Sequence, residues 1–123
     1  MNELYSPPTG ASETSLARIQ LSLRETAYAL GAGDGFKWDK SFYQYGNRLA
    51  HAHLLQINRV PTKLVFVYFI GDSTVSGPST RAEWETAIQT IHNTLGLAHH
   101  PPFVVDAFVN VHQFPRPLER IRR

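Results

Sequence analysis

The chain has 123 residues, of which 42% are hydrophobic and 18% are charged. This composition fits one domain with a buried core and excludes a disordered polyelectrolyte. Because the chain contains no cysteine, disulfides, thiolate catalysis and cysteine-based zinc sites are excluded as well.

The net charge of +2 is unevenly distributed along the chain. Four arginines and one glutamate fall within residues 116–123, so the remainder is close to neutral. We therefore expect a single α/β domain over residues 1–115 and a basic C-terminal tail over residues 116–123. No basic-then-apolar leader opens the chain, and the longest apolar run, residues 64–70, is too short to span a bilayer. A soluble cytoplasmic protein without a membrane partner is expected.

The first predicted helix follows an extended lead-in of about a dozen residues. Ser12 can cap this helix, and apolar residues then recur at helical spacing as far as Leu30. Gly31 is expected to end it, because glycine adopts the left-handed conformation without strain. The glycine-rich segment 31–35 follows a helix rather than a strand, so it is interpreted as a loop and not as a phosphate-binding motif.

The second predicted helix begins at Asp39 or Ser41 and runs to about Gln56. Four of its polar residues lie three or four positions apart and form one stripe: Gln44, Asn47, Arg48 and His51. Such a stripe is either the solvated side of an amphipathic helix or part of a site.

Two strands and a third helix are predicted in the second half. Residues 63–70 are rich in β-branched and aromatic residues on both faces, which is typical of a strand buried on both sides. Thr80 and Glu83 predict a capping box at the start of the third helix, and Gly96 predicts a Schellman end. Residues 103–114 alternate, with one apolar face and one mixed face, and predict the second strand.

This order of elements predicts an α/β fold: a small sheet with a C-terminal β-α-β unit, packed by two N-terminal helices. The two strands should be parallel and joined by a right-handed crossover. A strand buried on both sides needs neighbours and covering layers that two strands do not supply. The chain is therefore expected to be the later part of a longer domain, with a missing N-terminal segment. The alternative is a homo-oligomer that completes its sheet through another subunit.

Several short motifs lie between Trp38 and Leu97: Trp38-Asp39, Tyr43-Gln44-Tyr45, Asn47-Arg48-Leu49-Ala50-His51, Leu64-Val65-Phe66-Val67-Tyr68-Phe69, Gly77-Pro78 and Glu83-Trp84. In these residues the chain resembles the C-terminal half of a group of uncharacterised bacterial proteins that are similar to the PD-(D/E)XK nuclease superfamily. The resemblance implies a restriction-endonuclease-like fold. It also implies an acidic residue on one strand and a Glu/Asp-x-Lys on the next, which together hold Mg²⁺.

The chain departs from this family at the metal-binding signature. The positions two residues before its three lysines hold no acid, and the same is true of every arginine. The lysines are Lys37, Lys40 and Lys63, and the preceding residues are Gly35, Trp38 and Pro61. The resemblance then implies a fragment without its metal-binding strands, inactive by itself, with Mg²⁺ required only by the complete domain. If the chain is active, a Mg²⁺-dependent nuclease is expected. By the same resemblance, the second helix contributes the candidate site residues Gln44, Asn47 and Arg48.

The remaining polar residues favour ordinary structural roles. Asp72 follows the first strand, where ligands collect in parallel sheets, but Gly-Asp-Ser-Thr is also typical of a turn. Ser73 and Ser76 lie in the same loop and lack the glycines of a nucleophile elbow.

The histidines do not form a recognisable metal site in the sequence. His51 and His53 lie two positions apart on a helix and point to different faces. His99, His100 and His112 have no carboxylate at ligand spacing, so neither a metal nor another cofactor is predicted for this chain.

The leading prediction is therefore an uncharacterised nuclease-like α/β protein that is inactive alone. One alternative is a sheet-completing oligomerisation or protein-interaction module. The other is weak nucleic-acid binding, in which cationic side chains contact phosphates. The residues predicted for that binding are Arg48, Arg116, Arg120, Arg122 and Arg123.

Overall fold

The computed structural model describes residues 12–32, 38–72, 74 and 76–113 of the chain. They form a mixed α/β fold of three helices and two strands, in the predicted order. The elements are α1 (Glu13–Ala29), α2 (Tyr43–Ile57), β1 (Leu64–Ile70), α3 (Arg81–Leu95), β2 (Val104–Asn110) and a 3-10 turn (Val111–Gln113).

Helix α1 begins and ends where the local sequence predicts. Ser12 Oγ accepts a hydrogen bond from the N–H of Ser15 at 3.4 Å. At the other end Gly31 has a φ of 82°, and the N–H of Ala32 donates to Ala27 O at 2.8 Å. Both predicted caps of this helix are confirmed.

Helix α2 begins at Tyr43, and both predicted caps are wrong. The residue before it is Phe42, which has a left-handed φ of 60° and provides no side-chain cap. The Asp39 carboxylate instead accepts a hydrogen bond from Gln20 Nε2 of α1 at 2.8 Å. Asp39 therefore joins two elements of the fold and does not cap α2.

Helix α3 has both of its predicted ends. Thr80 Oγ1 accepts from the N–H of Glu83 at 3.2 Å and donates to Glu83 Oε1 at 3.0 Å. Gly96 has a φ of 76°, and the N–H of Leu97 donates to His92 O at 2.8 Å, as in a Schellman motif.

The sheet of the described residues is two-stranded, and β1 and β2 run parallel as predicted. Leu64 lies beside Val104 at one end and Ile70 beside Asn110 at the other. Paired residues share a face, so Phe66 and Asp106 lie on one face and Val67 and Ala107 on the other.

The helices and the sheet share a single hydrophobic core on the face that holds Phe66 and Tyr68. The most buried side chains of this core come from α2 and α3: Tyr45, Leu49, Ile91 and Leu95. The other face of β1 is exposed, so the prediction of a strand buried on both sides is wrong for the described residues. The apolar side chains of β1 are compatible with burial on both faces, but the sequence of the strand does not show which faces the helices cover.

Candidate interaction surface

The uncovered face of the sheet is apolar throughout. Val65, Val67 and Phe69 of β1 are 52%, 50% and 57% exposed, and Val105 of β2 is 44% exposed. Ala107 and Val109 complete this face and are half-buried. We call these six residues the open face.

The strand register brings the open face together as a continuous surface. Val65 lies beside Val105, Val67 beside Ala107, and Phe69 beside Val109. None of these side chains carries a charge or a hydrogen-bonding group. Contiguous exposed apolar patches larger than about a few hundred Å² mark interaction sites, and parallel sheets are usually covered on both faces.

Beneath the opposite face, the mixed side of β2 meets a cluster of titratable residues. Tyr45 Oη of α2 lies 3.1 Å from His92 Nε2 of α3. His100 Nε2 lies 3.0 Å from Asp106 Oδ2, and the rings of His92 and His100 are 5.8 Å apart between centroids. The fold therefore brings α2, α3, the residues before β2 and β2 itself to one polar cluster.

Burial controls the protonation of this cluster. It raises the pKa of Tyr45 and of Tyr68, and the negative charge of Asp106 acts in the same direction on Tyr68. Burial also lowers the pKa of His92, and a charged His100 adds to that effect. The two phenols are therefore neutral near pH 7, and His92 resists protonation.

Most polar atoms of the cluster contact one another or the backbone. His100 Nε2 faces the Asp106 carboxylate, and its Nδ1 lies 3.1 Å from Pro101 O, so both ring nitrogens are occupied. His92 is 6% exposed and binds Tyr45. Tyr68 Oη and Asp106 Oδ1 are buried, and neither makes a hydrogen bond of good geometry with a described residue, although the Asp106 carboxylate lies close enough to Tyr68 to raise the pKa of that phenol.

The predicted polar stripe on α2 lies away from this cluster. Gln44 and Arg48 are exposed, and Asn47 is half-buried. The backbone carbonyl of Asn47 lies 2.9 Å from His51 Nδ1, so the side chain of this histidine contacts the backbone of its own helix.

An open groove of about 310 Å³ lies between α2 and the start of β1. Its polar lining residues are Arg48, His51, Thr62 and Lys63, and its other lining residues are apolar. No acidic residue is among the described residues of its wall, so the groove presents positive charge without carboxylate ligands for a metal.

The loop after β1 has turn chemistry. Asp72 Oδ1 accepts hydrogen bonds from the N–H and the hydroxyl of Thr74 at 3.0 and 2.6 Å, which lower the pKa of Asp72. Ser76 is exposed, and Ser73 lies outside the described residues. The interpretation of this loop as a turn agrees with these contacts.

His100 and His112 lie at opposite ends of the sheet. His112 Nε2 lies 2.7 Å from Gly71 O at the carboxyl end of the sheet, whereas His100 lies near the amino end of β2. Across residues 12–32, 38–72, 74 and 76–113, no three His, Cys, Asp or Glu side chains form a group that could hold a metal ion.

Some predicted residues fall outside the described ranges. These are residues 33–35 of the glycine-rich segment and the tail arginines Arg116, Arg120, Arg122 and Arg123. Nucleic-acid binding through this tail stays a prediction. Of the helices that the structure describes, none has the length and apolar character needed to cross a membrane.

The sequence did not single out Tyr45, Tyr68, His92 or Asp106 as a group. The available signal was Asp106, an acid within an otherwise mostly apolar strand, on the face that also carries Val104 and Phe108. That pattern predicts a mixed face, but the residues that approach it come from positions far apart in the chain.

Comparison of the chain with protein-family models, with curated proteins and with solved structures finds no match. The resemblance to PD-(D/E)XK nucleases therefore stays a prediction, and the geometry of the described residues is the basis for assigning a function.

Proposed function

We propose that this chain is an assembly module that completes its sheet-based core with further copies of itself. The observation that supports this proposal is the open face, whose six apolar side chains lie on an otherwise well-packed sheet. Two such faces can pack against each other at about 10 Å, with the helices of each copy on the outside.

The choice of a second copy follows from the chemistry of the open face. It carries no charge and no hydrogen-bonding side chain that would select a partner of different composition. An apolar patch can pack against the same patch of a second copy, as a two-fold contact requires.

The magnitude of the contact indicates reversible assembly. Covering a half-exposed valine or phenylalanine contributes roughly 1 kcal/mol, so four side chains from each of two copies contribute roughly 8 kcal/mol. The loss of translational and rotational freedom opposes this by about 4–15 kcal/mol. The oligomer should therefore depend on protein concentration.

Light scattering after size-exclusion chromatography, over a wide range of loading concentrations, tests the proposal. We expect the mass to increase with concentration and Val67→Lys to lower the mass at a given concentration, because a lysine on the open face must lose hydration in the face-to-face contact. Leu54→Lys is the matched control, since Leu54 on α2 is 53% exposed and lies outside the open face. A folded monomer at every concentration would contradict the proposal.

A second candidate is a nuclease-like domain that is inactive alone. The helix–strand–helix–strand order from α2 to β2, with parallel strands, supports this candidate. Incubation of the pure chain with DNA and RNA in the presence of Mg²⁺ or Mn²⁺ should give no cleavage. Turnover that EDTA abolishes would show that the chain is an active nuclease.

A further inference from the structure

The two outer edges of the sheet differ in how many of their backbone groups are hydrogen-bonded to other described residues. The N–H of Leu64 donates to Phe103 O at 2.9 Å, so even-numbered residues of β1 and odd-numbered residues of β2 direct their backbone groups into the ladder between the strands. The odd-numbered residues of β1 and the even-numbered residues of β2 therefore direct theirs outwards.

The outer edge of β1 is closed at its carboxyl end. Trp84 Nε1 donates to Phe69 O at 2.9 Å, and the N–H of Gly71 donates to Ser79 O at 2.7 Å. Helix α3 and the loop before it thus occupy part of this edge.

The outer edge of β2 has a defined open stretch. The N–H of Val104 is bound to Pro101 O at 3.0 Å, and the 3-10 turn begins at Val111. Between these limits lie Asp106, Phe108 and Asn110, whose outward backbone groups bind no other part of the chain that the structure describes. The open stretch is centred on Phe108.

We infer that β2 pairs antiparallel with β2 of a second copy, with Phe108 opposite Phe108, to form a continuous four-stranded sheet. This inference rests on the proposed function and adds a second contact, at the sheet edge, to the packing of open faces; the joined open faces of one such pair remain available to pack on those of another. Asp106 of each copy then lies opposite Asn110 of the other, and the three open residues of each strand pair completely.

The side chains favour this register. Asp106 and Asn110 lie on the same face of β2, so Asp106 and Asn110 of the second copy become cross-strand neighbours with Cβ atoms about 5 Å apart. Asn110 Oδ1 accepts from the N–H of His112 at 2.9 Å, and no described residue accepts a hydrogen bond from its amide nitrogen. The Asp106 side chain is 15% exposed, and one of its oxygens has no partner among the described residues.

Other registers are less favourable. A shift of one residue removes the match between outward backbone groups. A shift of two in one direction places Asn110 opposite Val104 of the second copy, whose N–H is already bound to Pro101 O. A shift of two in the other direction places Asp106 opposite His112, which lies in the 3-10 turn beyond the strand. In the inferred register the two open faces lie on the same side and join.

Amide hydrogen exchange measured by NMR tests the edge directly. The amides of Val105, Ala107 and Val109 point into the β1–β2 ladder and should be protected in monomer and oligomer alike. Those of Asp106, Phe108 and Asn110 should exchange rapidly in dilute monomer and become protected at concentrations where the mass increases. An oligomer in which these three amides still exchange rapidly would overturn the edge inference and leave assembly through the open face intact. A monomer at all concentrations would overturn both.

A charge swap provides a second test. Asn110→Asp places a carboxylate opposite Asp106 of the second copy and should weaken association roughly tenfold or more. The double variant Asp106→Asn with Asn110→Asp restores one amide and one carboxylate to each pair and should recover most of that loss. Asn93→Asp on α3 is the control and should leave association unchanged. If Asn110→Asp associates as tightly as the parent chain, this pairing is wrong.

Discussion

Tyr45 and His92 are joined across the core by a hydrogen bond of 3.1 Å between the phenol oxygen and Nε2. Tyr68, a second buried phenol, has no hydrogen-bond partner among the described residues. The chain therefore contains two buried tyrosine hydroxyls that should contribute differently to stability.

Tyr45→Phe should lower the free energy of unfolding by about 1–3 kcal/mol, because it leaves His92 Nε2 buried without a partner. Tyr68→Phe should leave it unchanged or raise it by up to about 1 kcal/mol, since the removed hydroxyl is buried without a hydrogen bond of good geometry. Urea denaturation of both variants measures the difference. A loss for Tyr68→Phe as large as that for Tyr45→Phe would show that its hydroxyl has a partner.

The lowered pKa of His92 predicts that the protein loses stability in mild acid. Below the unfolded pKa of about 6.5, the unfolded chain takes up a proton that the folded chain resists, so the free energy of unfolding falls as the pH falls. The fall ends once the pH is below the folded pKa of His92. Urea denaturation between pH 7.5 and pH 5, a range chosen around that value of about 6.5, measures this dependence.

Replacement of the histidine separates this effect from other acid effects. His92→Gln keeps a hydrogen-bonding side chain near Tyr45 and removes the titration, so stability should depend less on pH. His51→Gln, at an exposed position of α2, should retain the full dependence of the parent chain. Equal pH profiles for the parent chain and His92→Gln would contradict the assignment.

Two leucines of α2 provide a matched test of the core. Leu49 is fully buried and Leu54 is 53% exposed. Leu49→Ala should cost about 2–5 kcal/mol of unfolding free energy through lost contacts and a cavity, whereas Leu54→Ala should cost no more than about 0.5 kcal/mol. Thermal or urea unfolding of both variants checks the prediction, and similar losses would mean that α2 packs through a different face.

The two tryptophans each donate one indole hydrogen bond to a backbone carbonyl. Trp38 Nε1 donates to Leu95 O in the core at 2.9 Å, and Trp84 Nε1 donates to Phe69 O at the sheet edge at 2.9 Å. Trp38→Phe should be the more destabilising change, by about 2–4 kcal/mol, because it leaves a buried carbonyl unpaired and a cavity beside it. Trp84→Phe should cost about 1 kcal/mol. Urea denaturation gives both values, and a larger loss for Trp84→Phe would contradict this order.

Local sequence was sufficient for most helix ends. Ser12, Gly31, Thr80 and Gly96 act on backbone groups within a few residues, so their roles could be predicted without the fold. The start of α2 could not be predicted in this way, because Gln20 of α1 binds the carboxylate that the helix end would have used.

The candidate site was predictable only in part. The apolar residues of β1 predicted two apolar faces, and the alternation in β2 predicted one mixed face. The polar stripe of α2 predicted a site at residues that are mostly exposed to solvent. Tyr45 and His92 are 47 positions apart in the chain, and Asp106 reaches the cluster from the opposite side of the core. A periodic pattern within one element cannot predict contacts between side chains on different elements.

The amino-acid sequence by itself determined the kinds of elements, their order and most of their ends, because propensity, capping and alternation act over a few neighbouring residues. Only the tertiary structure decided which face of the sheet the helices cover, which edge keeps unpaired backbone groups and which polar side chains meet beneath β2. Those features depend on contacts between distant segments, and burial is a property of the packed molecule rather than of any single stretch of chain.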